Sequence, residues 1–576
     1  MAACTGLTAI GVSSVTPGVA AATSSPVTVS TFTPNLTLVG SVDLSTLPVT
    51  PTHVATAAQG TAPQVDRSAP GGHIADPQAA AHRPKGTVTS TPGASTSPVT
   101  SQNVRGESGF VGLTGPSQAA ANGGLDLEPP DQGLCAGGGY VTEFINNALT
   151  IYQPDGVQLL PVIPSYAIFK QTSTAFFSDP RCYYDAPTQR WFLQEFIVGT
   201  VGKDGKSTSP SLQFLAVSDT ADPTGSYSIW SIDTTDTSTA NCPCFGDYDQ
   251  IGADDNGIYI ATDEFAIAGN GYNGVVLYAL SKELIETFSS TGIPPVAFGY
   301  RLTQDYFGQP YIVSPSETPQ GARFAPNTEY FVESNGDALS DNHLAVYALT
   351  DTSLLAAPAA PGLSATEVTS EAYAAPFDAK QAPGSRPLGT SVQDPEGQLQ
   401  ADFDAVMQVT SLKGHVYGEL NTSTTGGHDA AAWFILKTKA SGSKLTATVV
   451  HQGYVAPQGL SVLYPITALD ASGKGDMAFA VSGTTDHPSA AYISYGAQGP
   501  TGPVRIASAG VAPEDSFTCY AAFVGPSYGG CRWGDYSMGV ASGGRVYMAT
   551  EMIPSASRDY LTNWGTYVWS APSSAG

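Results

Sequence analysis

From about residue 125 the chain alternates short apolar runs with clusters of Gly, Pro, Asp, Asn and Ser. Runs of this length, rich in Tyr, Ile, Val, Phe and Thr and closed by turn formers, read as strands joined in hairpins. Seven hairpin starts can be laid out: GLCAGGGYVTEFIN at 133, SDPRCYYDAPTQRWFLQE around Asp179, GDYDQIGADDNGIYIATD around Asp247, ARFAPNTEYFVESN at 322, DFDAVMQVTSLKGHVYGELN at 402, YPITALDASGKGDMAFAVSG at 464, and GDYSMGVASGGRVYMATE around Asp535. A third strand follows most of them (LQFLAVS, VVLYALS, HLAVYALT, AAWFILK, AAYISYG, TYVWSA), and a fourth follows some, such as SIWSID or LTATVVHQGY. About four short strands per ~50–65 residues, seven times over, predicts an all-β fold, a β-propeller with seven blades. The last unit stops after TYVWSA, so a strand from before residue 133 is expected to complete it and close the ring. One short helix is predicted, over SKELIETF at 281–288. A β-helix would show shorter, more regular coils, and paired sandwiches would not repeat one motif at both ends of the chain.

Three of the hairpins share a stricter pattern: an Asp, an aromatic 12 residues on that opens a strand, and a carboxylate four further. They are Asp179–Trp191–Glu195, Asp247–Tyr259–Asp263 and Asp535–Tyr547–Glu551. Equivalent positions in a propeller fall on one ring, which places the three leading Asp residues at one mouth of the central channel. Asp131 and Asp402 or Asp404 stand at comparable places.

Residues 1–105 are of a different texture, built of Thr, Ser, Ala, Pro and Val with scarcely an aromatic. Such a segment is read as a low-complexity, extended or disordered N-terminal arm, with the propeller over 106–576. Its first ~25 residues end Ala-rich, like a signal-peptide cleavage region, but lack a basic start. Asn35 and Asn421 open N-glycosylation sequons, which matter only in a host that uses them.

The charge balance narrows the partners. With 49 acids against 23 bases the formal charge is −26, which excludes nucleic acid and disfavours an anionic membrane surface. No apolar run is long enough for a transmembrane helix. Of seven cysteines, Cys4 lies in the arm and six fall in the folded part. An even number suits disulfides and an oxidising compartment. Cys519 and Cys531 flank a Gly/Pro-rich turn and are the expected pair; Cys135, Cys182, Cys242 and Cys244 have no assignable pairing. The Cys242-Pro-Cys244 triplet is half of a zinc site without its other half.

Several of these stretches, in this order, resemble a family of secreted bacterial β-propeller proteins that is largely uncharacterised. EPPDQGLCAGGGYVTEFINNALTIYQPDG resembles its opening; SDPRCYYDAPTQRWFLQEF, FLAVSDTADPTGSYSIWSID, FGDYDQIGADDNGIYIATDEF and CRWGDYSMGVASGGRVYMATEM resemble later blades. The resemblance spans roughly 128–305 and 515–570 and implies an extracellular propeller. It transfers no catalytic residue.

Chemistry is sparse. Carboxylates of Asp179, Asp247 and Asp535 around a channel would concentrate cations, and oxygen-only ligands suit Ca²⁺; the competing reading is that each caps a turn and fastens neighbouring blades. The GADDNG loop at 252–257 is acid-rich but lacks spaced D-x-D-x-D ligands. A sialidase-like site needs convergent arginines; Arg181, Arg190, Arg301, Arg323 and Arg532 are available, yet Arg190 and Arg532 each precede a Trp as if stacked on it. No G-x-S-x-G elbow is present. Tyr272, Tyr306, Tyr311, Tyr528 and Trp564 are candidate rim aromatics for stacking on sugar or protein. The expectation is therefore a secreted or cell-surface propeller used for non-catalytic binding or adhesion, to a glycan, a cell-surface partner or copies of itself through the arm. The alternatives are a polysaccharide hydrolase or lyase at the channel mouth, and a structural subunit of a surface layer or filament.

Overall fold

A computed structural model describes residues 27–47 and 97–573, apart from 126, 238, 240, 270, 337, 358, 396, 526–529 and 557–560. Cys4, the signal-like start and most of the Ser/Thr/Pro arm lie outside the described residues. The strands sort into seven units of four, named blades I to VII in chain order. Their innermost strands are Gly133–Gly137, Phe177–Asp185, Cys244–Ala253, Ser314–Glu317, Val409–Leu412, Ser461–Leu469 and Met538–Ser542. Each touches the next and the last touches the first, so the seven close into a ring. This is a β-propeller. Blades IV and V also share a parallel bridge, Ser316 to Val409, which joins them into one eight-stranded sheet.

The period-2 alternation of strand side chains explains why the blades stack. In the second strand of blade II (Arg190–Ile197), Trp191 and Leu193 point into the core shared with blade I. Phe192 between them points into the core shared with blade III. All three are fully buried. A strand buried on both faces reads as a continuous apolar run, as Trp191-Phe192-Leu193 does. The same arrangement recurs around the ring, so the core is divided into layers between blades rather than gathered at one centre.

The ring closes through Ser108–Thr114, which pairs antiparallel with Gly565–Pro572 as the outer strand of blade VII. The arm contributes more than this. Thr28–Phe32 adds to the outer edge of blade III and Leu36–Asp43 to that of blade II. Val99–Thr100 pairs in parallel with blade VI. These segments bury little side chain and are held by main-chain pairing, which is why a hydrophobic pattern did not mark them. Blade IV differs from its expected start. Residues 322–327 are loop, and the inner strand is the four-residue Ser314–Glu317, preceded by Ile312 in a left-handed conformation.

The helix over Lys282–Thr291 forms as expected, begun by Ser281 and ended by Gly292 in the left-handed conformation typical of a helix stop. Two long excursions, 375–408 and 509–537, run across the same end of the ring. They meet where the backbone of Leu399 bridges Cys531 and where Asp515 accepts the N–H groups of Leu388 and Gly389.

Candidate functional site

Asp179, Asp247 and Asp535 come together, as equivalent starts of inner strands must. They line one pocket of about 190 Å³ with Asp131, Asn146 and Arg532. The opposite wall is apolar: Phe176, Phe196, Phe245, Val198, Ile267 and Leu127. The site therefore has a charged floor and an aromatic side, built from blades I, II, III and VII.

The floor is a network. Arg532, 1% exposed, donates two bonds from Nη2 to the carboxylate of Asp535, at 2.9 and 2.8 Å, and one from Nη1 to Asp402 at 2.7 Å. Asp131 accepts the Asp535 N–H at 2.7 Å and the Asn146 side-chain N–H at 2.6 Å. Asn146 in turn accepts the N–H of Asp179 at 2.8 Å. Asp179 has a positive φ of 56°, a conformation Asp tolerates better than most residues. Its carboxylate accepts the Tyr536 hydroxyl at 2.6 Å. Asp247 accepts the N–H of Tyr248, the next residue, at 3.0 Å. Below the floor, Arg181 lies 3.5 Å over the Tyr536 ring and donates to the carbonyl of Asp249. Burial, with the charge of Asp179 nearby, pushes Asp131 up to about 7.

Among the described residues no group of three or more His, Cys, Asp or Glu side chains is placed to hold a metal ion. The cation among these carboxylates is the guanidinium of Arg532, supplied by the chain itself. Sequence reasoning read Arg532 as stacked on Trp533; its position three residues before Asp535 was the available signal for an ion pair. The aromatic wall was missed altogether, since Phe196 and Phe245 sit in runs that read as ordinary core.

The second carboxylate of each repeat has a structural task. Glu195 accepts the N–H of Asn147 from blade I, Asp263 that of Ile312 at the start of blade IV, and Glu551 that of Gly534. Asn421, the same distance after Tyr417, accepts the N–H of Tyr464 in blade VI. Ile312 and Tyr464 both have positive φ. A side chain on one blade thus holds a strained turn of the next. The GADDNG loop is likewise a turn, with Asp254 accepting the N–H groups of Asn256 and Gly257.

All six cysteines of the folded part are paired: Cys135 with Cys182, Cys242 with Cys244, and Cys519 with Cys531. The first ties the inner strands of blades I and II; the second rules out a zinc half-site. Of the candidate rim aromatics, Tyr311 and Trp564 are buried, and Trp564 donates its indole N–H to Leu127. Tyr272 and Tyr306 are half-buried, and Tyr528 lies outside the described residues.

No protein-family model matches the chain. No curated protein matches it either. Solved structures that it resembles include a Trypanosoma rangeli sialidase, at 9% identity and TM-score 0.29, covering 68% of this chain and 54% of that one. The chain thus spans about half the length of the sialidase. An exo-β-1,3-galactanase from Clostridium thermocellum matches at 9% identity and TM-score 0.28, over 81% of this chain and 97% of the other. One from Phanerochaete chrysosporium matches at 10% identity and TM-score 0.26, over 82% and 96%.

Proposed function

We propose that this chain is an extracellular β-propeller that binds carbohydrate without transforming it, seating one neutral sugar ring in the axial pocket. The observation that carries this reading is the pairing of an aromatic wall (Phe176, Phe196, Phe245) with a carboxylate and amide floor (Asp131, Asp179, Asp247, Asn146). The C–H face of a sugar stacks on aromatic rings while its hydroxyls donate to carboxylates. At about 190 Å³ the pocket is smaller than the roughly 300–1,000 Å³ of drug-sized sites, so it suits one ring rather than a long oligosaccharide. Acids outnumber the single Arg532 on the floor, which disfavours an anionic sugar. Three disulfides and the absence of a membrane-spanning helix among the described residues support an extracellular setting.

A non-catalytic role is supported by how fully the floor is engaged with itself, Arg532 above all. One observation favours the second reading, a hydrolase: Asp131, pushed up to about 7, shares the pocket with Asp179, and unequal carboxyls are what acid–base cleavage of a glycoside requires. Calorimetry of the full chain against a panel of neutral mono- and disaccharides, with product analysis of each mixture, tests both. Binding without turnover supports the lectin-like role. Turnover lost in Asp131→Asn supports the hydrolase, and neither binding nor turnover sinks both.

A further inference from the structure

We infer that Cys242–Cys244 is a thiol-exchange site, a disulfide that opens and closes with small external thiols while the other two stay shut. This rests on the placement of the pair and is independent of the carbohydrate reading.

A disulfide stabilises chiefly by restricting the unfolded chain, and more so for longer loops. The three bridges close sequence separations of 47, 12 and 2 residues. Cys242–Cys244 restricts almost nothing, so its contribution to folding does not explain it. The location sets it apart from the first bridge, whose Cys135 and Cys182 are each 1% exposed; in the third, Cys531 is fully buried and Cys519 half-exposed. Cys242 lies half-exposed in the loop before blade III, with Cys244 buried behind it as the first residue of the inner strand. Cys242 is therefore the sulfur of this pair that an external thiolate would attack.

The surroundings favour departure of a charged sulfur. The side-chain N–H groups of Asn273 donate to both sulfurs, at 2.9 Å to Cys242 and 3.0 Å to Cys244. The Thr239 hydroxyl, which donates to Asp236 at 2.8 Å and accepts from Arg301 at 3.2 Å, lies 3.1 Å from the Cys242 sulfur. Arg301 is ion-paired with Asp236. Donors fixed on the sulfurs stabilise the negative charge that a leaving thiolate carries, and a better leaving group exchanges faster.

The step balances as follows. A small thiolate attacks Cys242 Sγ and forms a mixed disulfide; the Cys242–Cys244 bond breaks, and its electron pair leaves on Cys244, which takes a proton from solvent. A second thiol attacks the mixed disulfide, releases the oxidised small disulfide and leaves both cysteines reduced. Two external thiols are oxidised for one protein disulfide reduced. Cys244 immediately precedes Phe245, a wall of the axial pocket, so the reaction occurs one residue from the site.

Differential alkylation and peptide mass spectrometry of the native full chain, timed in reduced glutathione at neutral pH, test the inference. The expected result is that Cys242–Cys244 opens at least about tenfold faster than the other two bridges, and more slowly in Asn273→Ala. In Cys244→Ser, oxidised glutathione is expected to modify Cys242 and none of the four cysteines of the other two bridges. Opening at the same rate as Cys519–Cys531, or a Cys242 that resists glutathione in Cys244→Ser, overturns it.

Discussion

Glu195 Oε1 accepts the backbone N–H of Asn147 at 2.9 Å, from the second strand of blade II to the turn between the second and third strands of blade I. Both residues are buried, and burial pushes the Glu195 carboxyl well up. The side chain is therefore an acceptor first and a charge second, holding one blade to the next.

Replacement of Glu195 by Gln keeps the acceptor and is expected to cost under about 1 kcal/mol, whereas Glu195→Ala orphans a buried N–H and costs about 1–3 kcal/mol. Denaturant unfolding of the two variants separates them; equal losses would contradict the clasp.

Removing the guanidinium of Arg532 leaves Asp402 and Asp535 buried without their cation. Arg532→Met is expected to lose about 3–5 kcal/mol at neutral pH. Part of this returns in acid, as the carboxyls protonate. Unfolding curves at two pH values check both statements.

Stability is expected to fall as pH rises from about 5 to 8. Burial raises Asp131, Glu264 and Asp429 to about 7 and Glu419 to about 8, whereas unfolded acids titrate near 4. Between these values the folded chain binds more protons than the unfolded one, so raising the pH favours unfolding. The stabilisation is complete below the unfolded values and is lost as pH passes 7 to 8. A melting temperature higher at pH 8 than at pH 5 would contradict this.

The Cys135–Cys182 bridge spans 47 residues and joins two inner strands. Replacing both cysteines by Ser is expected to cost about 2–5 kcal/mol, read by thermal unfolding with the other bridges intact.

What was legible in the sequence follows from local chemistry. The Asp–aromatic–carboxylate repeats marked equivalent blades because each residue meets the same local need: a turn, a strand opening, a buried acceptor for a backbone N–H. The inner strand of blade IV was not legible, since Ser314–Glu317 is short, polar and contains Pro315. The strands at Thr28–Phe32 and Leu36–Asp43 pair through main chain with little burial, so no apolar pattern betrays them. The three leading Asp residues were placed correctly at one site, but their partner Arg532 lies next to Trp533 and only tertiary structure shows which way it turns. The aromatic wall was invisible because the outer end of a buried strand has the same composition as its middle.

A crystal structure of the full chain soaked with the tightest-binding neutral sugar tests the central claim most directly. The sugar is expected between Phe245 and Asp131, with a ring face against Phe196 or Phe245, and Phe245→Ala should abolish its density. A sugar ordered on the rim with the axial pocket empty, or binding unchanged in Phe245→Ala, would contradict it.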